Sequence, residues 1–316
     1  MATRTKLYAD KSVKLGSLKF HYLDWGNPRA QPMLLLHGGG QTAHSWDEFS
    51  EAMREHYHVI ALDQRGHGDS EWSPRKIYSM HAQLRDTTRF VNALKLSKIV
   101  LIGLSMGGRN SITYAATHPE KLDRLVIVDI GPETMPQGGR ARQEFVQDDV
   151  QPTFEAFVER AHKFNPRRPM EQLRERLQWN LRQLPDGRWT WKYDLHDRSA
   201  GNPRRMPNDL WPYVARIKAP TLIVRGAESD TLSPDVAERM KLVIQGSSLT
   251  VVPRAGHTVP GDNPPGFLAA VGAFLKQSGR PAYGSVLWSW AGASATIRPH
   301  QSASHQPGGN HARCRA

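Results

Sequence analysis

The stretch Gly103-Leu104-Ser105-Met106-Gly107 carries the strongest structural signal in this chain. The apolar residues 99–102 before it are typical of a buried strand, and residues 108–116 after it are typical of a helix. A serine at the apex of a strand-to-helix turn takes up a strained backbone that only small neighbours tolerate, which explains the two glycines. The pattern therefore predicts that the Ser105 hydroxyl is presented as a nucleophile at the start of a helix.

Two later segments supply the partners that a serine nucleophile needs. Residues 219–226 are typical of a buried strand that ends in glycine, and Asp230 lies in the loop after it. His257 follows the next predicted strand. We expect His257 to act as the general base and Asp230 to be the acid that fixes its tautomer. Asp129, which ends the strand after the Ser105 helix, is the alternative acid.

A glycine-rich loop supplies the candidate oxyanion hole. The apolar strand 33–36 leads into His37-Gly38-Gly39-Gly40, a loop whose backbone N–H groups can face a developing negative charge. Gly39 is the first choice as donor and Gly40 the alternate. The second donor is the backbone N–H of Met106, the residue after the nucleophile. His37 is expected to anchor the loop.

These segments together resemble the α/β-hydrolase superfamily, close to the small bacterial serine esterases that carry a lid. The resemblance rests on the His37–Gly40 loop, the stretch 63–70, the Ser105 turn, Asp230 and Gly256-His257, and it covers roughly residues 16–277. It implies an α/β-hydrolase fold, in which a mostly parallel central sheet has helices on both faces and a helical lid is inserted after strand 6. It also implies the chain order nucleophile, acid, histidine.

The alternation of strands and helices divides the chain into four parts. Residues 1–133 are predicted to be the first part of the hydrolase core, and residues 215–277 the second. Between them, residues 134–214 turn polar and helical and are the predicted lid. Residues 278–316 are rich in Ser, Ala, Gly, Pro and His without a periodic apolar face, so we expect a disordered extension.

The amino-acid composition indicates which partners and which cellular location to expect. The net charge of +12 is spread along the predicted lid and the final stretch, which favours a solvated basic surface over a nucleic-acid site. Cys314 is the sole cysteine, and no apolar segment is long enough to be a signal core or a membrane span, so a cytoplasmic location is expected. His300, His305 and His311 are spaced too irregularly for a metal site. The oligomeric state stays open.

The expected function is that of a cofactor-independent serine hydrolase, most simply a carboxylesterase. Its substrate would be a small to medium, apolar ester or lactone, cleaved through an acyl-enzyme at Ser105. One alternative is a carbon–carbon bond hydrolase of a ring-cleavage pathway, which uses the same three residue types. A second alternative, from another class, is a ligand-binding receptor with slow turnover, which would differ in showing near-single-turnover chemistry.

Overall fold

The computed structural model describes residues 6–136, 149–198 and 209–276. The chain divides into two units, Met1–Gln277 and Ser278–Ala316. The second unit, which contains the predicted extension and its histidines, lies outside the described residues.

The first unit is built on an eight-stranded sheet of order β1-β2-β4-β3-β5-β6-β10-β11. β1 is antiparallel to β2 and β2 to β4, whereas all the other neighbours are parallel. The strands are β1 (Ala9–Leu15), β2 (Leu18–Asp24), β3 (Pro32–Leu36), β4 (His58–Leu62), β5 (Ile99–Leu104), β6 (Leu122–Val128), β10 (Thr221–Gly226) and β11 (Ser247–Val252). The predicted mostly parallel sheet is confirmed.

The central parallel strands β3 and β5 are apolar along their length because both faces of the sheet are covered there. Along β3, Leu34 and Leu36 face one hydrophobic cluster, whereas Met33 and Leu35 face another. The side-chain period of two thus divides each central strand between two cores. Burial of each such side chain contributes about 1.5–3 kcal/mol before chain entropy is counted.

Helices cover the two faces. They are α1 (Asp47–Met53), α2 (Met80–Ala93), α3 (Met106–Thr117), α6 (Trp211–Val214), α7 (Pro234–Val243), α8 (Val259–Asp262) and α9 (Pro264–Lys276). α2, α3, α6 and α7 pack on the first cluster, and α1, α8 and α9 on the second. Ser79 caps α2 by accepting a hydrogen bond from the Ala82 N–H, and Ser233 caps α7 in the same way through Val236.

The segment inserted between β6 and β10 forms a cluster of its own. Its described part holds α4 (Phe154–Phe164), α5 (Met170–Asn180), and the strands β7 (Val150–Gln151), β8 (Leu181–Gln183) and β9 (Trp189–Trp191). The strands form an antiparallel sheet of order β7-β9-β8. The sequence predicts helices here and, within residues 184–191, a Pro-Asp-Gly turn between helical and extended residues. The pairing of three short strands into a sheet is an addition. Its strands of two or three residues are too short to produce a readable period.

Within the three described ranges, no helix is both long enough and apolar enough to cross a membrane.

Candidate active site

Ser105 lies at the junction of β5 and α3, where the predicted turn is formed. Its backbone has φ 53° and ψ −113°, a left-handed conformation that costs energy for a residue with a side chain. The flanking glycines are required by contact: a Cβ on Gly103 would lie 2.3 Å from the Gly107 carbonyl oxygen, and one on Gly107 would lie 2.1 Å from the Leu36 carbonyl oxygen. The turn therefore fixes the serine hydroxyl rigidly above the carboxyl end of the sheet.

His257 lies in the loop between β11 and α8, and its ring contacts two side chains that follow other strands. Its Nε2 lies 2.9 Å from the Ser105 Oγ, and its Nδ1 lies 2.9 Å from Oδ2 of Asp129. Since the carboxylate accepts the proton of Nδ1, Nε2 is left to accept from the serine. The three side chains form a continuous chain of hydrogen bonds from the serine hydroxyl to the buried carboxylate.

The prediction that Asp230 orients His257 is wrong, and the alternative acid Asp129 occupies that place. Asp129 directly follows β6, whereas Asp230 lies four residues beyond the end of β10. β6 and β10 are parallel neighbours, so both carboxyl ends reach the same edge of the sheet. The Asp230 carboxylate, partly exposed, instead accepts a hydrogen bond from the Thr231 hydroxyl at 3.0 Å.

Asp129 is wholly buried and held by donors from the β10 end. Its Oδ1 accepts from the Gly226 N–H at 2.9 Å, and its Oδ2 accepts from the Ser229 hydroxyl at 2.6 Å as well as from His257. Its own backbone has φ 50° and its N–H donates to the Val224 carbonyl. Three donors thus converge on this buried carboxylate and fix its orientation.

Ser229 is a site residue that the sequence analysis missed. Its Oγ accepts from the backbone N–H groups of Thr231 and Leu232, both at 3.1 Å, so its own proton is directed at Asp129. A serine one position before Asp230 carries no spacing signal of its own. Only the folded loop reveals that the hydroxyl, and not the adjacent carboxylate, faces the site.

The loop His37–Gly40 lies against the start of α3. The Gly107 N–H donates to the His37 carbonyl at 3.1 Å, and a Cβ on Gly39 would lie 3.9 Å from the Met106 Cβ. The Gly38 N–H is engaged by the Gln41 side chain. Within the described residues, the N–H groups of Gly39 and Met106 donate to no protein acceptor. The two predicted donors are thus brought side by side, whereas a Cβ on the alternate Gly40 would face the ring of Tyr193.

His37 anchors this loop. Its Nδ1 lies 2.8 Å from the Gly38 carbonyl oxygen, and its Nε2 accepts from the Gln64 N–H at 3.0 Å. Complete burial, assisted by the nearby His67, lowers the pKa of His37 to about 3, so the ring is neutral at physiological pH. Both ring nitrogens are engaged with backbone groups, which leaves no free nitrogen for a second base.

Residues 63–70, which follow β4, support the His37–Gly40 loop. Asp63 accepts hydrogen bonds from the backbone N–H groups of Ala43 at 2.6 Å and Asp69 at 3.0 Å and lies 2.7 Å from Nδ1 of His21. Burial opposes its charge, but these partners lower the pKa of Asp63 overall. His21, Asp63 and Asp69 are the one metal-like cluster in the described part of the chain. The hydrogen bonds to the Asp63 carboxylate hold the loop in place, so the cluster has a structural role.

The inserted segment contacts the same loop through α5. Asn180 Nδ2 donates to the Gly40 carbonyl at 3.1 Å, and the ring of Trp179 stacks on His44 at 3.7 Å. Arg176 donates to the Ser45 hydroxyl at 3.2 Å. The last two turns of α5 therefore lie along the candidate oxyanion loop and the turn that follows it.

A cleft of about 440 Å³ lies nearby, and it is lined by Arg167, Glu228, Arg254 and Asp262 among others. No member of the Ser105–His257–Asp129 triad lines it. Arg167 and Glu228 form an ion pair of 2.6 Å in this cleft. Charges of both signs make it a polar surface feature, separate from the hydrogen-bonded chain.

The arrangement is suited to acyl transfer. A serine whose hydroxyl is hydrogen-bonded to a histidine, itself oriented by a buried carboxylate, can be deprotonated as it attacks a carbonyl carbon. Two adjacent backbone N–H groups can stabilise the oxyanion that forms. All of these groups belong to the protein.

Comparisons with known proteins agree with the fold. Residues 31–264 match the model of the alpha/beta hydrolase fold family. An esterase of Mycobacterium tuberculosis is 29% identical over 261 residues, covering 80% of this chain and 85% of that protein. The 2-hydroxy-6-oxononadienedioate/2-hydroxy-6-oxononatrienedioate hydrolase of Escherichia coli is 28% identical over 272 residues, covering 83% of this chain and 92% of that protein.

Solved structures give the same result. The crystal structure of an esterase from Mycobacterium tuberculosis superimposes with a TM-score of 0.71 at 27% identity, covering 86% of this chain and 92% of that one. The family match spans the strands β3 to β11, and with them the nucleophile turn, the buried acid and the histidine loop. The chain therefore belongs to the α/β-hydrolase family.

Proposed function

We propose that the protein is a carboxylic-ester hydrolase that works through an acyl-enzyme at Ser105. The observation that carries this proposal is the hydrogen-bonded chain Ser105–His257–Asp129, with spacings of 2.9 Å and 2.9 Å. The relative from Mycobacterium tuberculosis, an esterase, supports the same class of reaction.

In the first half of the reaction, the Ser105 Oγ attacks the ester carbonyl carbon while Nε2 of His257 takes its proton. The negative charge moves to the carbonyl oxygen, which the N–H groups of Gly39 and Met106 stabilise. When the tetrahedral intermediate collapses, the bond to the alcohol breaks and His257 returns the proton to the leaving oxygen. The acyl group stays on Ser105.

In the second half, water takes the place of the alcohol. His257 removes a proton from a water molecule that attacks the acyl carbon, and the same donors stabilise the second oxyanion. Collapse breaks the bond to Oγ, and His257 reprotonates Ser105. Asp129 keeps the proton of His257 on Nδ1 throughout and stabilises the imidazolium that forms in each half.

A carbon–carbon bond hydrolase is the second candidate, because one relative is named for 2-hydroxy-6-oxononadienedioate. That compound is a ketone with two carboxylates and has no ester group. The receptor alternative differs in turnover, because a receptor would hold its ligand or release product once. Ester, dienoate and burst measurements on the purified protein separate the three.

The test is a panel of p-nitrophenyl esters, simple lactones and a 6-oxo dienoate, assayed with the wild type and Ser105→Ala. We expect multiple turnovers on esters by the wild type and a loss of at least about 10³-fold in Ser105→Ala, because removal of the nucleophile leaves only binding and oxyanion stabilisation. A fluorophosphonate should label only Ser105. Turnover of the dienoate alone, or equal ester rates for both proteins, would reject the esterase proposal.

A further inference from the structure

Arg176, on α5, places a positive charge beside the candidate oxyanion loop without an acidic partner. Its Nη2 donates to the neutral Ser45 hydroxyl at 3.2 Å, and no described carboxylate lies within 4 Å of its guanidinium. Arg174, on the same helix, is the contrast. It ion-pairs with Glu155 at 3.0 Å and Glu171 at 3.3 Å and extends toward solvent.

Arg176 lies near both loops of the candidate site, the glycine loop and the loop that holds His257. Ser45 belongs to the 3₁₀ turn Ala43–Trp46 that follows the glycine loop, and the charge of Arg176 reaches the ring of His37 in that loop. The charges of Arg168 and Asp262 also act on Arg176. Arg168 donates to the Thr258 carbonyl, directly after His257. The guanidinium thus lies within electrostatic reach of the oxyanion loop and of the histidine loop.

A guanidinium in this setting is incompletely satisfied. It has five N–H donors, and within the described residues one of them has a protein acceptor. Burial lowers the pKa of Arg176 to about 9, and the positive charge of Arg168 contributes to that shift, whereas Asp262, Asp47 and Glu48 oppose it. The side chain stays protonated at neutral pH. Arg176 is half-buried, and a partly desolvated cation with unused donors is stabilised most by a carboxylate, which it can bind in a bidentate manner.

We propose that Arg176 binds a free carboxylate of the substrate, so that the preferred ester is a half-ester of a dicarboxylic acid or a similar anion. This inference rests on the proposed ester hydrolysis at Ser105 and replaces the expectation of an apolar substrate. The α5 helix then has two functions at once. Asn180 holds the oxyanion loop through the Gly40 carbonyl, and Arg176, one turn earlier, positions the remote end of the substrate.

A purely structural role gives a different expectation. If Arg176 only fastens α5 to the turn Ala43–Trp46 through Ser45, its loss would disturb the oxyanion loop and slow every ester by a similar factor. If it recognises charge, its loss would slow anionic esters and leave neutral ones nearly unchanged. The ratio of kcat/KM for charged and neutral esters separates the two roles.

The experiment uses p-nitrophenyl half-esters of succinic, glutaric and adipic acid, each beside the corresponding methyl-capped diester of the same length. The three lengths sample the distance between Ser105 and the guanidinium. Ser105→Ala supplies the uncatalysed rate, which includes attack by the substrate's own carboxylate. The variants are Arg176→Gln, Arg176→Lys and the matched control Arg174→Gln.

We expect the wild type to prefer at least one half-ester over its neutral counterpart by about tenfold or more in kcat/KM, the size of effect that a charge-assisted hydrogen bond produces. Arg176→Gln should remove that preference mainly by raising KM, with neutral esters changed less than about threefold, and Arg176→Lys should restore part of it. Arg174→Gln should resemble the wild type.

Two outcomes would overturn the inference. One is a wild type that hydrolyses neutral diesters at least as well as every half-ester. The other is an Arg176→Gln variant that loses the same factor on both members of each pair. If no ester of either kind is hydrolysed at a rate above that of Ser105→Ala, the proposed esterase function fails instead, which is a distinguishable result.

Discussion

Replacing Asp129 by asparagine tests which strand supplies the acid. The substitution keeps the shape of the side chain and exchanges one acceptor oxygen for an NH₂ donor. In the structure Oδ1 accepts from the Gly226 N–H, and Oδ2 accepts from both His257 and Ser229. Asp230→Asn is the matched control, because its carboxylate is partly exposed and bonded to the Thr231 hydroxyl.

The expected loss of kcat follows from the two orientations that the introduced amide can adopt. With NH₂ toward His257, it meets the Nδ1 proton, and the histidine must move its proton to Nε2, where it can no longer accept from Ser105. With NH₂ toward Gly226, two donors face each other in a site that is fully buried. The first arrangement disables the base, and the loss in a comparable triad is about 10⁴-fold in kcat, or about 5 kcal/mol.

The assay is the steady-state hydrolysis of a p-nitrophenyl ester at neutral pH, corrected with Ser105→Ala. We expect Asp129→Asn to lower kcat by about 10³–10⁴-fold and KM by little, since the acid acts mainly in the transition state. Asp230→Asn should change kcat by less than about threefold, as substitutions away from buried networks usually do. Melting temperatures establish that both variants are folded at the assay temperature.

The reasoning is refuted if the two effects are reversed. A large loss in Asp230→Asn with a small one in Asp129→Asn would mean that the β10 loop rearranges in the working enzyme. Equal small losses would mean that His257 needs no carboxylate for orientation.

Two further predictions concern the groups around this triad. Ser229→Ala removes one donor from the Asp129 carboxylate, so we expect kcat to fall about 3- to 10-fold, because the carboxylate that orients His257 is held less firmly; an unchanged kcat would contradict that role. His37 is held neutral with a pKa of about 3, below its unfolded value of about 6.5. Between these values the unfolded chain binds the extra proton, so stability should fall as pH falls from 6.5 toward 3, by up to about 1.4 kcal/mol per pH unit. Urea unfolding at several pH values should give a flatter slope for His37→Gln, and an equal slope would reject the assignment.

The fold and the turn that carries Ser105 could be predicted because their signals are local. The turn around Ser105 needs glycines at fixed spacing for steric reasons, and the contacts of Gly103 and Gly107 are those that the spacing implies. Strand and helix positions follow from apolar runs, although β5 extends through Leu104 to the turn itself. His257 could be predicted because it follows the last strand.

The acid could not be chosen from sequence alone, since the choice depends on two neighbouring strands at once. Asp129 and Asp230 both lie beyond the carboxyl ends of parallel strands, and chain order is the same for either. What decides is the direction of the loop after Gly226, which turns the Ser229 hydroxyl toward the site. Such a loop direction depends on tertiary hydrogen bonds, including those to Thr231 and Leu232, that no pattern in the chain displays.

The basic stretch of α5 contains a signal that is visible only when periodicity and charge are considered together. As part of the net charge, Arg174 and Arg176 are equivalent, and both are typical of a solvated surface. Leu173, Leu177 and Asn180 are buried and mark one face of the helix at spacings of four and three. Arg176 lies three residues after Leu173 and four before Asn180, and its side chain reaches Ser45, whereas Arg174 pairs with Glu155 and Glu171. Among the described residues the Arg176 guanidinium donates only to the Ser45 hydroxyl, while the carboxylates of Asp262, Asp47 and Glu48 act on its charge from beyond ion-pair distance. The unused donors of this guanidinium are the basis for the proposed carboxylate site.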